Sequence, residues 1–256
     1  MRYIHYLESI PLLTLLALAY ILVGMFGART NPKRRATRPR NPDRTRERLL
    51  QAAFREVRRS GFQSAGINTI LAATNVTKGA LYQHFESKEA LGYAIVDEVI
   101  AKLVHDRWLR PLLSDGHPID ILTSIVRRIP ARPADVRESC PLLNLAQEMS
   151  PLDEQFRKRL EKLFLAWQKG IATLLRKGQS QGTVRRELNP DETASFLVAM
   201  VEGYASLAKN ARDTKVWSVG IRNIVGWLQS LRAPRQFGRG GRRISKGHLV
   251  RQRQRF

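Results

Sequence analysis

The chain is poor in cysteine, histidine and acid, and each shortage closes off a class of function. Its single cysteine, Cys140, excludes an intramolecular disulfide and any cysteine-rich zinc site, and fits a reducing compartment. The five histidines are widely scattered, and HExxH, GxSxG, Walker and GxGxxG patterns are all missing. No catalytic residue, metal site or cofactor is therefore expected. Strand-like alternation of any length and internal repeats are missing too, which leaves an all-α chain.

Acidic residues number 22 against 44 Lys and Arg, for a net charge of +22. The excess sits at the ends. Residues 29–40 carry six basic side chains and no acid, and 232–256 carry nine and no acid, leaving residues 41–231 at +7. Such ends favour polyanions, nucleic acid or anionic lipid, through counterion release and long-range attraction. They serve equally well as solvated, disordered tails.

Near the N-terminus "IPLLTLLALAYILVGMFG", residues 10–27, runs 18 residues without a charge, the lower limit for a membrane span. It lacks a convincing cleavage site and a basic leader, which argues against a removed signal peptide. Two readings stay open. In one the segment is an anchor to the inner membrane, and Arg29, Lys33, Arg34, Arg35, Arg38 and Arg40 behind it keep the body cytoplasmic. In the other, translation starts inside or after the run, for example at Met25, and the protein is cytoplasmic, at the nucleoid.

The expected organisation is a hydrophobic leader over 1–28, a basic linker over 29–42, a first helical unit over 43–91, a second over 92–231 and a basic disordered tail over 232–256. In the first unit, Leu50, Ala53, Phe54 and Val57 repeat at helical spacing, with Asn41 or Asp43 as cap and Gly61 as stop. "INTILAATN" predicts a helix of under two turns capped by Asn68 or Thr69. Asn75 suits a left-handed turn, Thr77 a cap for a third helix, and Ser87 a cap for a long helix through Leu91, Ile95, Val99 and Leu103. Further helices are predicted near 118–129, 141–149, 150–177, 190–210 and 214–231, about nine in all. Ser150 with Pro151 and Asp153, and Asn189 with Pro190 and Glu192, mark two of their starts.

Leu81 and Phe85 share one face of the third helix, while Gly79, Tyr82 and Gln83, flanked by Lys78, take the other. With "AAFREVRRSGF", "INTILAATNV" and "TKGALYQHFESKEAL" in this order and spacing, residues 44–91 resemble the DNA-binding domain of the TetR family of bacterial transcriptional regulators. The resemblance implies a three-helix helix-turn-helix head followed by a larger helical ligand-binding and dimerisation domain. It also implies a cytoplasmic regulator, most often a repressor, that binds palindromic operator DNA as a homodimer and is released by a small-molecule effector. Asn75 stands where that family most often has Gly, and the leader is a departure from it.

By the same resemblance, Thr77 and Lys78 donate to phosphate or base, Gly79 permits close approach, and Ala80 offers a methyl to thymine. Tyr82, His84 and Lys88 match phosphate contacts, with Thr69 a weaker candidate. Each alone has an ordinary reading, Thr77 as a cap, Tyr82 as surface packing, His84 as a half-buried ring, Lys88 as a solvated charge; their joint order carries the DNA reading. Phe196, Met200, Gly203 and Leu207, with Trp217, Ile221, Ile224 and Leu228, are expected at the dimer interface, though helices of this apolar width also suit a monomer core. His105, Trp108 and Cys140 are candidates for the effector pocket, and Arg137 could favour a Cys140 thiolate that senses oxidants or electrophiles. The rival class is a nonspecific nucleic-acid or membrane-surface protein, touching the membrane through 10–27 and driven by tails and leader.

Overall fold

Wherever apolar residues recur at helical spacing, a helix forms, and most of its ends are set by a polar cap or a glycine. The computed structural model describes residues 42–234. The apolar run 10–27, the linker up to residue 41 and the tail from 235 lie outside the described residues, and so do the expectations placed on them. Among the described residues no helix is long and apolar enough to cross a membrane.

The described residues hold nine helices of seven residues or more and no strand, apart from one antiparallel bridge, Val184 to Arg232. They are α1 (Pro42–Ser60), α2 (Ile67–Thr74), α3 (Lys78–His84), α4 (88–113), α5 (Pro118–Arg127), α6 (Pro141–Met149), α7 (Glu154–Ser180), α8 (Pro190–Ala211) and α9 (Thr214–Ser230). A six-residue helix, Pro133–Glu138, precedes α6; its apolar content is too small to have shown in the sequence. α4 is continuous but uneven, with π-helical stretches at Ile95–Ile100 and His105–Leu109 and a 3-10 end at Arg110–Leu113.

Several ends fall where the sequence puts them. Gly61 closes α1 with φ +84, and Asn75 ends α2 in the left-handed region with φ 51. The Thr77 hydroxyl accepts from Ala80 N at 3.2 Å, and Ser87 Oγ from Ala90 N at 3.0 Å. Asn189 caps α8 through Asp191 N and Glu192 N, and Glu192 answers it at 3.0 Å. Other ends do not. α1 begins at Pro42, so of its two cap candidates Asp43 lies within the first turn, while Asn41 lies outside the described residues. α2 begins at Ile67 behind Gly66, so Asn68 and Thr69 also lie inside the helix and cap nothing. α7 runs past Gly178, where glycine answers to packing and not to a helix end, since a Cβ there would meet Val184 at 2.4 Å and Pro118 at 2.9 Å.

The start of α7 also corrects the reading from Ser150. Ser150 and Pro151 belong to the turn closing α6, and Asp153 is the cap, taking Gln155 N at 2.7 Å and Phe156 N at 3.1 Å on Oδ1. Its other oxygen accepts the Tyr93 hydroxyl at 2.6 Å. The Tyr93 bond, first among the causes, lowers the pKa of Asp153, and it pushes that of Tyr93 up to about 12. Asp153→Ala is expected to cost about 1–2 kcal/mol in urea denaturation, and Ser150→Ala under about 0.5 kcal/mol. Equal costs would restore Ser150 as the cap.

α7 is the axis of the core. Phe156, Leu160, Trp167, Ile171 and Leu175 line one face and are all buried, each contributing about 1.5–3 kcal/mol by removal from water. α8 packs on α7, and α9 on α8 and α5. The buried cluster is continuous from Leu49 in α1 to Leu231 past α9. The expected boundary between units at 91/92 falls inside α4, whose Gly92 lies against both Phe62 of the head and Phe156 of α7.

Candidate nucleic-acid interface and internal cavity

The head is built from α1 to α3. Leu49, Leu50, Ala53, Ile70, Leu81 and Phe85 bury the inner faces of the three helices. Arg48 Nη2 donates to Thr74 O at 2.5 Å, tying the end of α2 to α1. With α3 anchored by Leu81 and Phe85 alone, its other face points outward. Lys78, Gly79 and Gln83 are exposed, Tyr82 is 41% exposed, and Ala80 and His84 are half-buried. A Cβ at Gly79 would meet nothing within 4 Å. The chain's own packing does not demand glycine there.

The remaining candidates are placed less simply. Thr69 is exposed on α2. Lys88 is turned toward its own chain, its ammonium donating to Gln63 O at 2.8 Å and lying 5.1 Å from the Phe62 ring centroid. That contact fastens the turn between α1 and α2 to the first turn of α4. A second fastening comes from Glu148 at the end of α6, whose carboxylate accepts Phe62 N and Gln63 N, both at 2.8 Å. A third is the two-pronged pair Arg46 to Glu98, at 2.7 and 2.5 Å, between α1 and α4. Nothing in the sequence marked Glu148, since a glutamate on a helix end is ordinary.

Behind the head lies a cavity of about 120 Å³. Of the three pocket candidates, Trp108 of α4 and Cys140 line it; His105 does not, being exposed and bonded to Asp106 at 3.1 Å. The wall also draws on residues that the sequence did not point to for a pocket: Arg58 from α1, Val201 and Glu202 from α8, and Trp217 from α9. Trp217, assigned from its spacing to the dimer interface, is instead part of this wall. Ile224 and Leu228 below it are fully buried in the chain's own core, and Ile221 is half-buried. An apolar stripe has the same period whether it faces its own core or another copy, so spacing could not separate the two. On α8 the stripe does face out: Phe196 is 52% and Leu207 59% exposed, Gly203 is exposed and Met200 half-buried.

Cys140 and Glu202 meet in the cavity wall. Burial first, then the Glu202 charge, push the thiol pKa well above its ordinary value. Arg137 is exposed and has no part in this. The thiolate expected for an oxidant or electrophile sensor is thus disfavoured by the site. Glu202 is the side chain in this wall that sequence reasoning missed. Burial pushes its pKa up to about 7, opposed by the Cys140 hydrogen bond, and among the described residues its Oε2 has no partner. A signal existed, because Glu202 is the sole charge between Glu192 and Lys209. Among the described residues no group of His, Cys, Asp and Glu could hold a metal ion.

Comparison with known proteins agrees with both halves. Residues 49–95 match the family described as bacterial regulatory proteins, tetR family, and residues 121–224 match the tetracyclin repressor-like C-terminal domain. The chain is 32% identical over 163 residues to the HTH-type transcriptional repressor DhaR of Mycobacterium sp. (strain GP1), covering 62% of this chain and 79% of that one. It is 31% identical over 183 residues to the transcriptional regulator AcuR of Cereibacter sphaeroides, covering 69% and 83%. A TetR transcriptional regulator from Chloroflexus aurantiacus J-10-FL, solved by crystallography, superimposes with a TM-score of 0.69 at 27% identity, over 76% of this chain and all of that one.

Proposed function

Because the chain belongs to the TetR family of bacterial transcriptional regulators, we propose that it is a repressor that binds palindromic operator DNA as a homodimer and lets go when a small molecule fills the cavity. The observation that carries the DNA half is α3 itself. Its inward face is spent on Leu81 and Phe85, leaving Lys78, Gly79 and Tyr82 outward at the start of a helix whose length suits the major groove. Thr77, Ala80 and His84 flank this surface, and Thr69 stands beside it on α2. Lys88 gives one ammonium N–H to Gln63 O and keeps two more for a phosphate.

One short helix reads few base pairs, so two heads on a two-fold axis are needed. The outward stripe of α8, Phe196, Met200, Gly203 and Leu207, with the half-buried Trp227 of α9 edge-on to Phe196 at 5.2 Å, supports pairing through α8 and α9. Release follows from connection. α6 begins at Pro141 in the cavity wall and carries in its last turn Glu148, which holds the 61–63 turn of the head. A ligand that displaces the start of α6 favours dimers whose heads no longer match half-sites ~34 Å apart, and DNA affinity falls by population shift.

Lys78→Ala and Tyr82→Ala are each expected to weaken operator binding about tenfold, and Lys78→Ala to lower the salt slope by about one. The operator is first selected from random DNA, binding is read by fluorescence anisotropy, and dimer mass is checked by light scattering. Unchanged affinity in both variants would remove α3 as the reading element. Loss that is even across all DNA sequences would instead support attachment through charge alone.

A further inference from the structure

Resting on that reading of the cavity as the ligand site, we infer that its occupant is a small aliphatic ammonium compound with one oxygen acceptor. Its N–H groups donate to Glu202, and its oxygen accepts from the indole of Trp217. Three buried side-chain atoms in residues of the same wall have no partner among the described residues, the acceptor Glu202 Oε2 and the donors Trp217 Nε1 and Arg58 Nε, so the one acceptor calls for a donor and the two donors for an oxygen. Glu202 and Trp217 are 6% and 3% exposed, so water outside does not serve them. Buried polar atoms are almost always paired, and a matched orphan donor and acceptor in one cavity mark a place for a ligand that supplies both.

The charges in the wall select the sign. Arg58 is ion-paired with Glu138 at 2.6 Å, and Asp135 with Arg132 at 2.6 Å. Asp135 also feels Arg107. Around Glu202, α6 presents the neutral thiol of Cys140 and α9 the indole of Trp217, while neither Arg58 of α1 nor Arg107 of α4 bears on its ionisation. Glu202 is thus the carboxyl in this wall that no cation compensates. Indoles at Trp108 and Trp217 add walls that attract cations at their faces. An anion would have to lie against that carboxyl, which specificity by repulsion disfavours. Size sets the rest: a cavity of about 150 Å³ takes the six carbons of benzene, so one of about 120 Å³ takes about five non-hydrogen atoms.

Four probes of five non-hydrogen atoms separate the cases by calorimetry on the full chain without DNA: 3-aminopropan-1-ol, butylammonium, butan-1-ol and propionate. The expected order is aminopropanol, then butylammonium, with the neutral and anionic probes at least about tenfold weaker. Glu202→Gln should erase the advantage of both amines. Trp217→Phe should weaken aminopropanol and leave butylammonium unchanged. Binding of both amines should tighten from about pH 6 to about pH 8, where Glu202 becomes a carboxylate while the raised Cys140 stays a thiol and the lowered Asp135 stays ionised. Tightest binding by propionate, no binding by any probe, or amine binding unaltered in Glu202→Gln overturns the assignment. Operator release is measured separately. Amines that bind without releasing DNA leave this site standing and remove the regulatory reading, whereas release by other compounds with no amine binding does the reverse.

Discussion

Phe156→Ala is expected to destabilise the protein by about 3–5 kcal/mol, the range for removing a fully buried aromatic ring. Phe156 is 0% exposed and stands edge-on to two other rings, Phe62 at 4.8 Å and Tyr93 at 4.9 Å between centroids. The three rings come from the head, from α4 and from α7, so their packing is the apolar seam between the head and the rest. A Cβ on Gly92 would lie 2.4 Å from Phe62 and 2.5 Å from Phe156, which leaves no slack. Collapse into the vacated space is limited by α4 and α7 themselves, so the cost belongs at the upper end. Gly92→Ala probes the same seam from the other side and is expected to cost about 1–3 kcal/mol by overpacking. Denaturant midpoints followed by tryptophan fluorescence check both, and a loss under about 1 kcal/mol for Phe156→Ala would show that the seam is loose.

The second large effect is a pH dependence with an unusual sign. Glu202 carries a pKa raised from 4.5 to about 7, chiefly by burial. Between those values the folded protein holds a proton that the unfolded chain has released, so stability falls as pH rises. The contribution is fully present below about pH 4.5 and is lost as pH climbs through about 7, amounting to about 3 kcal/mol. Asp153, Glu98 and Asp135, whose pKa values are lowered by hydrogen bonds from Tyr93, Arg46 and Arg132, act in the opposite sense and mainly at lower pH. Glu202→Gln should therefore be more stable than the wild type near pH 8 and less different from it near pH 5, by about the same 3 kcal/mol. Parallel stability curves for the two proteins would mean that Glu202 ionises freely.

Local chemistry was legible in the sequence wherever a residue acts on its own neighbourhood. Thr77, Ser87, Asn189 and Gly61 end helices through bonds or dihedrals within a few residues, and Leu81 with Phe85 shows the inward face of α3 by spacing alone. What could not be read depends on packing partners far away. Trp217, Ile224 and Leu228 form a stripe indistinguishable from an interface until α8 and the cavity are placed against it. Ser150 and Asp153 are both good caps, and the choice between them is made by Tyr93, 60 positions away. Cys140 looked accessible to Arg137, but α8 brings Glu202 to it instead.

The grip of Glu148 on the head has a consequence for how such proteins can be recombined. Its two bonds go to the main-chain N–H groups of Phe62 and Gln63, and Lys88 holds the main-chain carbonyl of Gln63. Main-chain groups occupy the same positions whatever side chain residue 63 bears. The polar joint is therefore blind to much of the head's sequence, provided the left-handed Gly61 keeps the turn in shape. A head carrying a different α3 can be exchanged onto this body with that joint intact, so the surface of α3 can change without change in the body that holds it.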